Sequence, residues 1–318
     1  MEYRRLGRSA VRVSPIALGT MNFGPQTPAA DAHRILDRAV DAGINLIDTA
    51  DQYGGELGVG TTETILGDWL AGRSDRDSLV LATKVHEPMG DGPNDRGLSA
   101  YHIRRACEAS LRRLRVDHID LYQLHHLDRA AAWDEVLMAT ERLVADGKIT
   151  YLGTSNFPGW SIAAGMERAD ARSALGPVSE QSLYHLANRT IEMEVVPAAQ
   201  HYGIGILPWS PLGGGLLAGS PSDDSKRRRA AHAGTEAMRE RLDRWEQLCA
   251  DLAQPPAVVA TAWLRDRPGV VAPIVGARTE AQLDDALRSL EVTLDDETNA
   301  RLDEIFPGPG PAPEAYAW

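Results

Sequence analysis

The sequence predicts a single (β/α)8 TIM barrel of the α/β class, and three observations support this prediction. Strand-like and helix-like segments alternate eight times along the 318 residues, a length that suits such a barrel. No Pro-, Ser- or Gly-rich linker divides the chain, so residues 1–318 read as one domain. A doubly wound sheet should carry a Gly-x-Gly-x-x-Gly turn after its first strand, but this turn reads Gly19-Thr20-Met21-Asn22-Phe23-Gly24.

The first half of the chain supplies a cap and four strand–helix pairs. A β-hairpin is expected over residues 3–13, across one end of the barrel. Helices are recognised by apolar residues at i, i+3, i+4 and i+7, and by glycines that stop them. Strands are predicted at 15–18, 44–47, 79–84 and 119–125. The first helix ends at Gly43 and the second covers 62–70. The third has a face made of Ile103, Cys107, Leu111 and Leu114, and the fourth covers 131–145.

The second half continues the same alternation and adds one long loop. Strands are predicted at 149–154, 177–180, 204–207 and 270–275, and helices after Pro158, at 192–202, 236–252 and 257–264, and through Leu283, Ala286, Leu287 and Leu290. Pro197 is compatible with its helix only in the first turn. Residues 211–234, Gly-rich and then basic, should form a long loop after strand seven. The tail, residues 307–318, contains four prolines and should form no regular element.

The composition of the chain limits the kinds of partner and ligand that it is expected to bind. Lys and Arg total 33 against 45 Asp and Glu, a net charge of −12, and nucleic acid or an anionic membrane would require a basic surface. Cys107 and Cys249 are too few for a metal-ligand cluster or a disulfide framework. The N-terminus lacks a signal-peptide core, and no apolar run approaches the ~18 residues of a membrane span. We therefore expect a cytoplasmic protein with a small-molecule substrate and no metal. The sequence leaves the oligomeric state open.

Polar groups occupy the ends of the predicted strands, where a barrel of this kind builds its active site. Asp48, Tyr53, Lys84 and His125 should therefore meet in one cleft. Taken singly, each has a purely structural explanation, such as a strand-end turn for Asp48 or a solvated charge for Lys84. The complete set of ends is Gly19-Thr20-Met21, Asp48 with Tyr53, Lys84, His125, Ser155-Asn156, Gln181, Trp209-Ser210, and Gly276 with Arg278.

In this order along a barrel, the motifs resemble those of the aldo-keto reductases, over nearly the whole chain from Leu18 to Arg278. The resemblance implies an NADPH-dependent oxidoreductase that reduces an aldehyde or ketone, a keto sugar in some similar bacterial members. The alternative is a cofactor-binding regulatory or redox-sensing subunit similar to potassium-channel β subunits. The motifs are Asp48-x-Ala50-x-x-Tyr53, Lys84, Asp120-Leu121-Tyr122-Gln123-Leu124-His125, Gly153-Thr154-Ser155-Asn156-Phe157 and Trp209-Ser210-Pro211-Leu212.

The resemblance also implies roles for the four rim residues. Tyr53 would donate the proton, and a neighbouring Lys84 ammonium would lower its pKa from the usual ~10. Asp48 would hold Lys84 protonated, His125 would orient the carbonyl oxygen, and a nicotinamide would supply the hydride. Strand alternation places His125 and His126 on opposite faces without deciding which enters the cleft. The resemblance favours His125, with His126 either lining the substrate pocket or lying on the rim.

The cofactor residues follow from the same resemblance. Ser155, Asn156 and Gln181 would bind the carboxamide, Trp209 would stack on the nicotinamide, and Ser210, Leu212 and Gly214 would approach the pyrophosphate. Gly19, Thr20, Met21 and Gly276 complete the rim. Arg278, at a helix N-terminus, would bind the 2′-phosphate of NADPH.

Several interpretations stay open. Gln282 caps its helix through Thr279, contacts the adenosine, or does both, and Asp285 stands in an Asp-Ala pair where relatives often have Glu-Asn. The basic run 226–229 is either a solvated loop or closes over the phosphates. In the tail, Tyr316 or Trp318 either folds over the barrel mouth or belongs to a frayed terminus.

Overall fold

The structure, a computed structural model, describes residues 1–219 and 235–317. Eight parallel strands form its central sheet; the first seven are hydrogen-bonded to one another in chain order, and the eighth is hydrogen-bonded to the first. The predicted α/β barrel is thereby confirmed. An antiparallel pair, β1 (Arg4–Arg5) and β2 (Arg12–Val13), precedes the sheet as the predicted hairpin. The sheet consists of β3 (Ala17–Gly19), β4 (Leu46–Asp48), β5 (Val80–Val85), β6 (Ile119–Leu124), β7 (Ile149–Ser155), β8 (Pro177–Gln181), β9 (Gly205–Ile206) and β10 (Ile274–Val275).

The sheet curls until its two edges meet. β10 pairs with β3 on one side, and on the other the chain before β10 joins β9. The Ile206 N–H donates to Gly269 O at 2.9 Å, and Val271 N–H donates to Ile206 O at 2.9 Å. These bonds satisfy backbone groups that an open edge would leave unpaired.

Helices surround the sheet, and four of them begin at a residue whose side chain caps the first turn. Ser99, Thr235, Thr279 and Asp295 each accept a bond from the backbone N–H three residues on. The helices are α1 (Ala29–Asp41), α2 (Thr61–Leu70), α3 (Ala100–Leu114), α4 (Trp133–Ala145), α5 (Gly159–Ala171), α6 (Val195–Tyr202), α7 (Glu236–Asp251), α8 (Pro256–Arg265), α9 (Glu280–Arg288), α10 (Asp296–Ile305) and α11 (Glu314–Ala317).

The core has two layers, and the hairpin closes one end of the inner layer. Leu6 and Val13 of the hairpin pack with apolar side chains of the barrel interior, such as Leu46 and Leu121. Gly7 has a φ of 56°, and a Cβ there would lie 2.2 Å from Val178 O, so the close approach of the hairpin turn requires glycine. The opposite end, where the strands finish, is left for the site. None of the described helices is long and apolar enough to cross a membrane.

The structure corrects several predicted boundaries. The last strand covers only Ile274–Val275 rather than residues 270–275, because Pro273 has no N–H to donate to a ladder. Helix six begins at Val195, after a 3-10 turn at Thr190–Glu192, which places Pro197 in the first turn as required.

Two elements near the C-terminus were not predicted. α10 escaped prediction although Asp295 is a good N-cap residue. The tail also departs from prediction, since Glu314–Ala317 forms one helical turn once the prolines have ended.

Candidate active site

The ends of β4 and β5 bring three of the predicted site residues into direct contact. Lys84 Nζ, which is fully buried, donates to Asp48 Oδ2 at 2.6 Å, to Thr49 O at 2.8 Å and to Tyr53 OH at 3.1 Å. Lys84 and Asp48 face the barrel interior from neighbouring parallel strands. The ammonium thereby reaches the phenol through a fixed geometry.

Asp48 is itself held by two amides from across the barrel. Gln123 Nε2 on β6 and Gln181 Nε2 on β8 donate to Asp48 Oδ1 at 2.9 and 2.8 Å. Both carboxylate oxygens are therefore bonded, as a buried charge requires. The sequence analysis missed Gln123, although strand alternation places it on the face of His125. The Nε2 group of Gln181, expected to meet the cofactor, is occupied by Asp48 in this structure.

The electrostatics of Lys84 and Tyr53 differ in part from the expectation. Burial alone would lower the pKa of Lys84, but Asp48 and the bond to Tyr53 hold that pKa above its ordinary value. For Tyr53, burial is the largest effect and raises the pKa, Lys84 lowers it, and Asp48 raises it again. The net direction is upward, contrary to the lowering predicted from Lys84 alone. Tyr53 is consequently a protonated hydroxyl at neutral pH, suited to donate a proton.

His125 lies beside Tyr53. Their ring centroids are 6.0 Å apart in an edge-on arrangement. Burial lowers the pKa of His125 to about 2, aided by the charge of Lys84, so the imidazole is neutral and can act only as a hydrogen-bonding group. His126 stacks on His125 with centroids 4.9 Å apart, and the ring contact with Tyr53 is made by His125. Of the two histidines, His125 is the one beside the cluster.

The turn after β7 ties three strand ends together through Asn156. This residue adopts a φ of 59°, a left-handed conformation that asparagine tolerates. Its amide donates to His125 O at 3.1 Å and to Ser155 Oγ at 3.0 Å, and its Oδ1 accepts from Trp209 Nε1 at 3.0 Å. The indole predicted to stack on a nicotinamide is thus fixed by the amide predicted to bind the carboxamide.

Glu180 supports this turn from behind. Its Oε1 accepts from the Phe157 N–H at 3.2 Å and from Ser182 Oγ at 2.7 Å, and Oε2 is buried without a partner. Burial raises the pKa of Glu180 to about 7. The sequence analysis assigned this carboxyl no role.

After β9 the backbone enters a glycine turn. Ser210 O accepts from the Gly213 N–H at 2.8 Å, and Gly213, Gly214 and Gly215 all have positive φ. A Cβ on Gly213 would lie 3.0 Å from the buried ring of His185, which leaves little room for a side chain. Leu212 packs against the core beneath the turn. The turn therefore offers bare backbone at the rim, where the pyrophosphate was predicted to lie.

The first turn of α9 carries the remaining predicted cofactor residues. Arg278 is exposed, and its backbone N–H donates to Gln282 Oε1 at 2.9 Å. The backbone N–H of Gln282 donates to Thr279 Oγ1 at 3.3 Å. Gln282 therefore does take part in capping. Asp285 lines a cavity of about 450 Å³, whose other lining residues are Ala218, Gly219, Glu246, Cys249, Ala250, Gln254, Pro255, Pro256 and Ala257.

Of the predicted cofactor residues at the first and last strand ends, most make contacts within the protein. Gly19 pairs with Asp48 in the sheet, and Thr20 is buried with its hydroxyl donating to Asp48 O at 3.0 Å. Met21 is 59% exposed, and Gly276 O accepts from Asn22 Nδ2 at 3.0 Å. Only Met21 of these presents a side chain to solvent at the mouth.

Two predicted features lie wholly or partly outside the described residues. The basic run 226–229 and Trp318 both belong to the parts of the chain that the structure does not describe. The tail before Trp318 is anchored, since Arg189 donates to Phe306 O at 2.9 Å and Met193 O accepts from Ala312 N–H at 2.9 Å. Tyr316 is 67% exposed.

Comparison with known proteins yields a family and several relatives. The model of the aldo/keto reductase family matches residues 15–306. The uncharacterized oxidoreductase YrpG of Bacillus subtilis is 48% identical over the full length of both chains. Norsolorinic acid reductase stcV of Emericella nidulans is 33% identical over 94% of this chain and 80% of its own. A probable voltage-gated potassium channel subunit beta of Arabidopsis thaliana is 30% identical over 99% of this chain and 100% of its own.

Proposed function

The chain belongs to the aldo/keto reductase family, and from this premise we propose that it is an NADPH-dependent oxidoreductase that reduces an aldehyde or ketone to an alcohol in the cytoplasm. The observation that carries the proposal is the contact of Lys84 with both Asp48 and Tyr53. A buried ammonium beside a phenol and a neutral imidazole is an arrangement for proton donation to a developing alkoxide. Keto sugars belong to the proposed substrates.

Each residue has a defined task in this proposal. Tyr53, kept protonated by burial, donates its hydroxyl proton to the carbonyl oxygen as negative charge develops there. Lys84 stabilises the tyrosinate that results, and Asp48 fixes Lys84 in place. His125, neutral because of burial and the nearby Lys84, orients the carbonyl oxygen through a hydrogen bond. These tasks require no titration of His125 or Lys84 at neutral pH.

The remaining rim residues fit a dinucleotide. The glycine turn at Gly213–Gly215 exposes backbone, and Arg278 forms no ion pair with any carboxylate in the described part of the chain. The cavity beside Asp285 supplies room for an adenosine. In this proposal Asn156, Ser155 and Gln181 hold the carboxamide and Trp209 supports the ring. Bound NADPH would supply the hydride, which no side chain can provide.

Steady-state oxidation of NADPH with a panel of aldehydes and keto sugars tests the proposal. Multiple turnovers with at least one carbonyl substrate are expected. The relationship to potassium-channel subunits motivates the alternative, a cofactor-binding regulatory subunit. Tight NADPH binding without turnover of any substrate would favour that alternative.

Cofactor preference gives a second test. Arg278→Ala should weaken NADPH binding roughly 10- to 150-fold, because a hydrogen bond to a charged group contributes ~1.5–3 kcal/mol. NADH, which lacks the 2′-phosphate, should bind almost as before. Dissociation constants for both cofactors can be measured by fluorescence titration, with Arg38→Ala as the control, since Arg38 is paired with Asp284. Equal weakening of both cofactors would remove Arg278 from 2′-phosphate recognition.

The C-terminal tail gives a third test of the proposal. If Tyr316 or Trp318 covers the barrel mouth during catalysis, deleting residues 314–318 should change KM for bulky carbonyl substrates more than for small aldehydes. The anchor at Arg189 lies outside the deleted segment, so the fold should be retained. Equal KM changes for both substrate sizes would identify the segment as a frayed end.

A further inference from the structure

Beside the cluster of Lys84 and Tyr53, one carboxylate lies between two imidazoles. His86 and Glu87 follow β5, and His126 follows His125 after β6. Glu87 Oε1 lies 3.3 Å from His86 Nδ1 and 3.3 Å from His126 Nε2. Because His126 stacks on His125, this carboxylate is separated from His125 by a single ring. Neither Glu87 nor His86 has a task in the proposed proton transfer.

The pairing decides which atoms remain free. An ionised carboxylate can only accept hydrogen bonds, and a neutral imidazole carries one N–H. His86 Nδ1 forms a hydrogen bond with Glu87 Oε1, so a proton is favoured on that nitrogen, whereas His126 Nε2 lies at 3.3 Å from the same oxygen without hydrogen-bond geometry. His86 Nε2 is then left with a lone pair, the neutral ring of His126 offers one acceptor nitrogen and one N–H, and Glu87 Oε2 has no protein donor within residues 1–219 and 235–317. The group presents three acceptors, and its one free donor is the ring N–H of His126.

This group is partly open to solvent and includes a carboxylate. The side chains of His86, Glu87 and His126 are 19%, 23% and 43% exposed. Burial lowers the pKa of His126, with Glu87 opposing and His86 adding to that effect, and neither Lys nor Arg contributes. A metal ion is not indicated, because the described residues contain no metal-binding group of three or more His, Cys, Asp or Glu side chains.

Building on the proposed carbonyl reduction, we propose that Glu87, His86 and His126 form a subsite for substrate hydroxyl groups, and that the enzyme prefers uncharged, polyhydroxylated aldehydes or ketones. Hydroxyl donors match the three free acceptors. A carboxylated substrate meets the charge of Glu87, and an alkyl substrate leaves the acceptors without donors. Polar groups of a site discriminate strongly against analogues that lack the matching hydroxyl.

The ratio of kcat/KM for glyceraldehyde to that for propionaldehyde measures this preference. The wild-type ratio should exceed one, and Glu87→Leu should lower it by about 10- to 150-fold, the range for losing a hydrogen bond to a charged group. His126→Phe retains a stacked ring without the acceptor and should lower the ratio by a smaller factor. Glu297→Gln removes an exposed carboxylate from α10 and should not change the ratio. An unchanged ratio in Glu87→Leu would overturn the subsite.

A binding experiment separates this inference from the proposed activity. Saturation-transfer NMR with xylitol and with 1-pentanol requires no turnover. Wild-type protein should transfer saturation to xylitol, and Glu87→Leu should lose that signal. Equal xylitol signals in both proteins would disprove the subsite even for an active reductase. Failure of all carbonyl turnover alongside Glu87-dependent xylitol binding would instead remove the reductase activity and retain the subsite.

Discussion

Tyr53→Phe should lower kcat by a factor on the order of 10²–10⁴, the usual contribution of a general acid, while NADPH binding remains nearly intact. The substitution deletes one hydroxyl. Lys84 keeps its bonds to Asp48 Oδ2 and Thr49 O, and the ring keeps its place beside His125. Single-turnover rates at saturating NADPH would report the loss directly, and a fluorescence titration would report cofactor affinity.

A matched control is available in Tyr101→Phe, since Tyr101 is 60% exposed on α3. It should have normal turnover. Because burial raises the pKa of Tyr53, the wild-type rate of reduction should stay level through neutral pH and fall only in alkaline solution, where the donor loses its proton. Near-normal kcat in Tyr53→Phe would remove Tyr53 from the mechanism.

Much of the fold could be predicted because the signals are local. The apolar face of α1, with Ala32, Ile35, Leu36 and Ala39, is buried as its periodicity indicates. The grouping of Asp48 with Lys84 follows from topology, since the ends of neighbouring parallel strands converge. The ends of short strands were harder to predict, because the hydrogen-bond ladder near β10 depends on Pro273 and on closure of the sheet against β9.

The details of the site depend on long-range contacts that no sequence pattern displays. Nothing local reveals that Gln123 and Gln181 share one oxygen of Asp48, or that burial outweighs Lys84 in setting the pKa of Tyr53. Glu87 follows its strand as an ordinary loop residue, and only the packing of β5 beside β6 brings it to His126. Whether burial or a neighbouring charge has the larger effect on a pKa can be judged only from the three-dimensional arrangement.

Lys84→Met should lower the free energy of unfolding by about 3–5 kcal/mol, the typical effect of breaking a buried ion pair on one side. Asp48 would keep the amides of Gln123 and Gln181 but lose its only cation within the described residues. Equilibrium unfolding in urea measures the change. The double variant Asp48→Asn with Lys84→Met removes both charges and should recover part of the loss, because an uncompensated buried carboxylate is the costly state.

The pH dependence of stability gives this prediction a sign. The folded-state pKa of Lys84 lies above its ordinary value, so its stabilising contribution is fully present below the ordinary lysine pKa. That contribution is lost as the pH rises through the folded-state pKa. Wild-type stability should therefore decline in strongly alkaline solution, and Lys84→Met should lack that part of the decline. A variant as stable as the wild type, with the same alkaline profile, would show that the Asp48–Lys84 pair positions Tyr53 without supporting the fold.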